Sequence, residues 1–142
     1  MSILWLKRKQ TLQQRLFQLR GHLVEVNGEN LGLEPGQLQQ VFKHNFIKVQ
    51  GELFVPLSLQ SIRVFDIKPP RRTVRVGVRT TFRTGSAFSN IRLVQIGTDF
   101  IELQAKGSRF PSRILFPLNK VEGIFPVNTE QKTLRKRIVR RT

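Results

Sequence analysis

The chain has 142 residues, with 25 Lys and Arg against nine Asp and Glu, a formal net charge of +16 and no Cys. Its 39% hydrophobic content, with eleven Phe, is enough for a core, while the lack of Cys excludes a disulfide framework, a thiol nucleophile and any Cys-ligated zinc or iron–sulfur site. No run approaches the roughly 18 apolar residues of a membrane span, and Ile3-Leu4-Trp5-Leu6 ahead of Lys7-Arg8-Lys9 has its charge on the wrong side for a secretory signal, so a cytoplasmic chain is expected.

In chain order, Ser2 can cap a helix over residues 1–20: Trp5, Leu12, Leu16 and Leu19 fall on one stripe, and Gly21 supplies the stop. A basic amphipathic helix with a Trp also suits an anionic membrane surface. A seal over a small core explains the stripe more cheaply, so no membrane partner is expected. The period then shortens, and His22–Asn27, Leu38–Lys43, Phe46–Gln50, Leu53–Pro56 and Ile62–Ile67 read as five strands, broken at Asn27-Gly28, Glu34-Pro35-Gly36 and Gln50-Gly51. Two prolines in Lys68-Pro69-Pro70-Arg71-Arg72 make 68–73 a linker. A second set of five follows: Val74–Arg83, Ala87–Ile96, Phe100–Gln104, Ile114–Pro117 and Val121–Val127.

The halves superpose as sequence. Asn45-Phe46-Ile47-Lys48-Val49-Gln50 matches Asp99-Phe100-Ile101-Glu102-Leu103-Gln104, Leu53-Phe54-Val55-Pro56-Leu57 matches Ile114-Leu115-Phe116-Pro117-Leu118, and Val64-Phe65-Asp66-Ile67 matches Ile124-Phe125-Pro126-Val127. The expected fold class is mainly β: an N-terminal helix, a small five-stranded barrel over 21–67, the linker, a second barrel over 74–127 and a basic tail over 128–142.

A helix leading into five bent strands, with Val24-Glu25-Val26-Asn27-Gly28 as a first strand and Phe46-Ile47-Lys48-Val49 as a third, resembles the Sm-like (LSm) barrels, whose fold bacterial Hfq shares. Val78 to Gly85 followed by Leu93 to Leu103 is the closer match. The short strands closing on Pro-Leu, at Pro56-Leu57 and Pro117-Leu118, are similar to those of small Sm-like proteins of endospore-forming Firmicutes. The resemblance implies two tandem barrels, a spore-associated or coat-assembly setting, and oligomers formed by pairing of barrel edge strands. RNA-binding Sm proteins carry an Arg-Gly or Lys-His pair in the turn between their fourth and fifth strands. Neither Leu57-Ser58-Leu59-Gln60 nor Leu118-Asn119-Lys120 has one, which puts the family's usual base pocket in question.

No catalytic constellation is visible. His22 and His44 lack metal-ligand spacing and read as strand or turn histidines, Glu25, Glu29, Glu34 and Glu52 fall near turns, and no Gly-rich phosphate loop occurs. A non-enzyme without cofactor or metal is expected. The charge excess lies in residues 1–20, 68–85 and 129–142, the last two carrying six basic residues each. Lys68, Arg71 and Arg72 lead into a strand on which Arg75, Arg79 and Arg83 alternate with apolar residues, so these three share a face. Lys132, Arg135, Lys136, Arg137, Arg140 and Arg141 belong to a tail too charged to fold alone. The planar fork of Arg suits phosphate oxygens, and these twelve residues read as contacts to RNA or DNA without sequence preference, or alternatively to an acidic protein. The same charges also serve as an ordinary solvated face or an unstructured tail. No aromatic on the Arg strand offers itself for base stacking: Phe82 alternates inward and the chain has no Tyr.

Overall fold

The computed structural model describes residues 3–28, 31–32, 34–81, 87–105 and 111–127. The expected helix over 1–20 is replaced by two pieces. A 3-10 turn spans Ile3–Leu6 and α1 spans Leu12–Gln18. The break has a cause at each side. Thr11 starts α1 with a capping box, its hydroxyl accepting from the Gln14 N–H while the Gln14 side chain accepts from the Thr11 N–H. Ahead of it, Lys7 bridges to Ile96 in the second half of the chain. The apolar stripe of the sequence therefore serves two clusters: Leu6 and Trp5 join one, Leu12, Leu16 and Leu19 the other.

The first half holds β1 (Leu23–Gly28), β2 (Leu31–Gly32), β3 (Gly36–Val41), β4 (Ile47–Val49), β5 (Glu52–Phe54) and, after a 3-10 turn at Pro56–Ser58, β6 (Ser61–Phe65). The two-residue β2 was not anticipated, and Gly28 continues β1 instead of turning. Gln50 and Gly51 both have positive φ, 49° and 78°, between the paired residues Val49 and Glu52. That is the two-residue hairpin of the type I′ kind, which a glycine at its second position makes inexpensive. The second half repeats the plan with β7 (Val74–Thr80), β8 (Ala87–Ile96), β9 (Phe100–Gln104), β10 (Ser112–Pro117), a 3-10 turn at Leu118–Lys120 and β11 (Val121–Pro126).

The strands form one antiparallel sheet in the order β11-β7-β8-β9-β10-β6-β1-β3-β4-β5, with β2 attached to β1. In each half the last strand pairs with the first, β6 with β1 and β11 with β7. The halves are joined by β6 and β10, with Phe65 opposite Ser112 and Ile62 opposite Leu115. They also share packing. Phe100 and Leu115 of the second half lie in the cluster built on α1, Val24, Leu38, Ile47 and Ile62, while Ile101, Leu103 and Phe116 lie in the cluster of Leu6, Val76, Val78 and Leu93.

Strand β9 is thus covered on both faces, which puts Glu102 into the interior with 0% exposure. Its carboxylate accepts from Arg15 of α1 through Nε (2.7 Å) and a second guanidinium nitrogen (3.1 Å), from Arg113 of β10 (2.6 Å) and from Gln95 Nε2 (3.0 Å). Burial alone pushes the Glu102 carboxyl up, but the hydrogen bonds and charges of Arg15 and Arg113 outweigh it and hold the group below its ordinary value.

Glu102→Gln leaves two guanidiniums facing a neutral amide, and is expected to cost about 3 kcal/mol or more in urea unfolding. A carboxyl whose folded value lies below its unfolded one contributes fully at neutral pH and loses that contribution as acid protonates it. The native chain is therefore expected to weaken as pH falls below 4.5, the group's ordinary value, and unfolding midpoints against pH should decline less steeply for Glu102→Gln.

Candidate polyanion-binding face

On β7, Val76 and Val78 point into the second cluster, so Arg75, Gly77 and Arg79 take the opposite face. Both arginines are exposed, as the alternation in the sequence requires. Neighbouring strands complete the face. Arg92 of β8 stands directly opposite Arg75, and Phe125 of β11 stands directly opposite Gly77. Arg75 donates to Asn90 Oδ1 at 3.3 Å, where a bulge in β8 places Asn90 at φ 60°. Arg75, Asn90, Arg92, Gln104 and Ala105 line a cleft of about 230 Å³.

Two like charges directly opposite one another oppose strand pairing, by up to about 1 kcal/mol for an exposed pair. In the first half the corresponding strands, β1 and β3, set no charges opposite one another, Leu23 lying opposite Gln37 and Val24 opposite Gly36. No carboxylate balances Arg75 and Arg92: among the described residues every ion pair goes to Glu102, through Arg15 and Arg113. Arg75 and Arg92 face each other over an open cleft, an arrangement that an anion between them would relieve.

The other expected contacts divide. Lys68 and Arg71 are exposed in the connector, where the Lys68 carbonyl accepts from Arg113 at 2.8 Å. Arg72 turns toward the N-terminal segment, its guanidinium 6.0 Å from the Trp5 ring centroid. Arg83, Lys132, Arg135, Lys136, Arg137, Arg140 and Arg141 lie outside the described residues. Of the expected ridge the described residues hold Arg75 and Arg79, and Arg92, Asn90 and Phe125 join them unannounced. Arg92 could be found only from the β7–β8 register, which shifts between Val76 and Val78. Phe125 likewise needed the β11–β7 register, which shifts between Val121 and Gly123.

A larger concavity of about 600 Å³ lies between α1 and the β3–β4 connection, lined by Leu12, Phe17, Phe42, His44, Leu57 and Asp99 among others. The Asp99 carboxylate there accepts the Leu12 N–H at 2.7 Å and so finishes the start of α1. His22 donates from Nδ1 to the Phe65 carbonyl at 3.0 Å, a structural histidine. Among the described residues no group of His, Asp and Glu is placed to hold a metal ion, and no helix is long and apolar enough to cross a membrane.

No family model, curated protein or solved structure matches the chain.

Removing one arginine of the facing pair relieves repulsion, whereas removing Arg113 leaves a buried carboxylate with Arg15 as its one charged partner. Arg92→Gln is accordingly expected to leave the unfolding midpoint unchanged or slightly raised at low salt, and Arg113→Gln to lower it by about 3 kcal/mol in free-energy terms. Parallel urea titrations of the two variants separate these roles.

Proposed function

We propose that the chain is a non-enzymatic binding protein that engages a polyanion, RNA or DNA, mainly through its phosphates. The observation that carries this reading is the unbalanced Arg75–Arg92 pair on an exposed face that also holds Arg79. Guanidinium groups meet phosphate oxygens in pairs, and three of them on one rigid sheet face offer such contacts without ordering cost in the backbone. The net charge of +16 adds attraction at a distance. Two Sm-like barrels are part of the same proposal: supporting it are the repeated strand order, the 3-10 turn between the fourth and fifth main strands of each half, and the helix ahead of the first. Contact through phosphates also fits the missing Arg-Gly or Lys-His pair of the RNA-binding Sm families.

Fluorescence titration of labelled single-stranded RNA at low and moderate salt tests the reading. With about six to ten phosphates neutralised by this face and the remaining basic segments, affinity is expected to fall roughly 10³- to 10⁵-fold between about 50 and 200 mM salt. Arg75→Gln together with Arg92→Gln should weaken binding and flatten that dependence. Salt-insensitive binding, or binding unaffected by the double variant, contradicts it.

A second reading, an assembly protein of spore-coat type that binds acidic proteins, has its own observation. The strand order ends at β5 and β11, the fourth main strand of the first half and the last of the second. The same two kinds of strand already pair inside the chain, as β10 and β6. Pairing of β5 with β11 of another copy would extend the sheet head to tail into a ring or filament. Leu53 on β5 is 56% exposed, against a half-buried Ile114 at the matching place on β10. If copies assemble this way, Leu53→Lys is expected to reduce the mass measured by light scattering to that of one chain. A native chain that is already monomeric, or a variant of unchanged larger mass, removes this second reading.

A further inference from the structure

The polyanion reading leaves open what the ligand carries besides phosphate. Phe125 bears on that question. Its ring is 40% exposed, yet it is held in place: a Cβ built on Gly77 would overlap three atoms of the ring, so the ring occupies the space that any other residue at position 77 would fill. Gly77 itself is buried beneath it. Arg75 and Arg79 flank Gly77 on the same face of β7, and Arg92 lies beyond Arg75. The face is therefore an aromatic platform set among three guanidinium groups. Leaving part of a large ring in water forgoes part of the energy of burying it. A ring fixed by a glycine and bordered by phosphate-binding groups suits a flat ligand that brings its own negative charge.

Resting on the polyanion reading, we propose that Phe125, held over Gly77, is a base-stacking subsite, and that the ligand of this face is single-stranded nucleic acid. An unpaired base would lie on the Phe125 ring while the phosphates on either side reach Arg75 and Arg79. Duplex nucleic acid has its bases stacked on one another and presents only phosphates here, so it gains nothing from the ring. The subsite discriminates little between bases, since every base has a flat face.

The test compares two single strands of equal length and charge, an oligodeoxyadenylate and the same strand with abasic sites throughout, binding the full-length native chain, Phe125→Leu and Gly77→Ala at one salt concentration. The native chain is expected to bind the strand with bases roughly tenfold more tightly than the abasic strand. Phe125→Leu should keep the abasic affinity and lose most of that preference. Gly77→Ala should lose it as well, because the methyl group displaces the ring. Thermal unfolding of each variant reports whether the fold is retained, and the abasic affinity reports whether the arginines remain in place. Equal binding of the two strands by the native chain, or a preference that survives Phe125→Leu, overturns the stacking subsite while leaving phosphate binding intact. Failure of the native chain to bind either strand overturns the polyanion reading and this inference with it.

Discussion

The buried carboxylate of Glu102 is the constraint on which the rest of the molecule depends. It sits on a strand covered from both faces, and charge in that position is tolerated only with close partners of opposite sign. Arg15 and Arg113 supply them, with side chains themselves only 14% and 12% exposed. Because Arg15 is on α1, Arg113 on β10 and Gln95 on β8, satisfying one carboxylate fixes a helix and three strands relative to one another. A hydrophobic residue at position 102 could fill the space. It could not choose among neighbouring arrangements, because it would have no directional bonds to lose.

That fixed junction sets what the second half can present. With β9 buried and β10 joined to β6, the face of β7, β8 and β11 turned away from the second cluster is left to Arg75, Arg79, Arg92 and Phe125. In the first half the corresponding strands, β1 and β3, oppose Leu23 to Gln37 and Val24 to Gly36, without charge. The two halves thus differ in charge at this pair of strands, one uncharged and one carrying two facing arginines. A repeat used only for packing has no need of that difference.

Much of the sheet was legible in the sequence because period-two patterns and turn residues are local. Ala87–Ile96 and Phe100–Gln104 appear with the expected limits, and the Gln50-Gly51 break is a tight hairpin. Local reasoning failed where distant partners decide. One apolar stripe from Trp5 to Leu19 reads as a single helix, but its two ends answer to different clusters, and a sequence stripe carries no label for the core it fills. The Arg15–Glu102 bond joins residues 87 positions apart, and nothing near either residue announces it. The proposed binding face was half legible. Arg75 and Arg79 follow from alternation along β7, whereas Arg92 and Phe125 depend on registers that bulges shift by a residue.

The proposed function arises from placement: a sheet holds two arginines opposite one another beside an exposed ring. The most direct measurement is a map of backbone amide shifts by nuclear magnetic resonance as a short single-stranded oligonucleotide is added. The largest changes are expected at Arg75 to Arg79, Arg92 and Phe125, with little change around α1 and the β3–β4 connection. Changes centred instead on the concavity beside Phe17 and Phe42, or spread evenly over every exposed Lys and Arg, would contradict the proposed function.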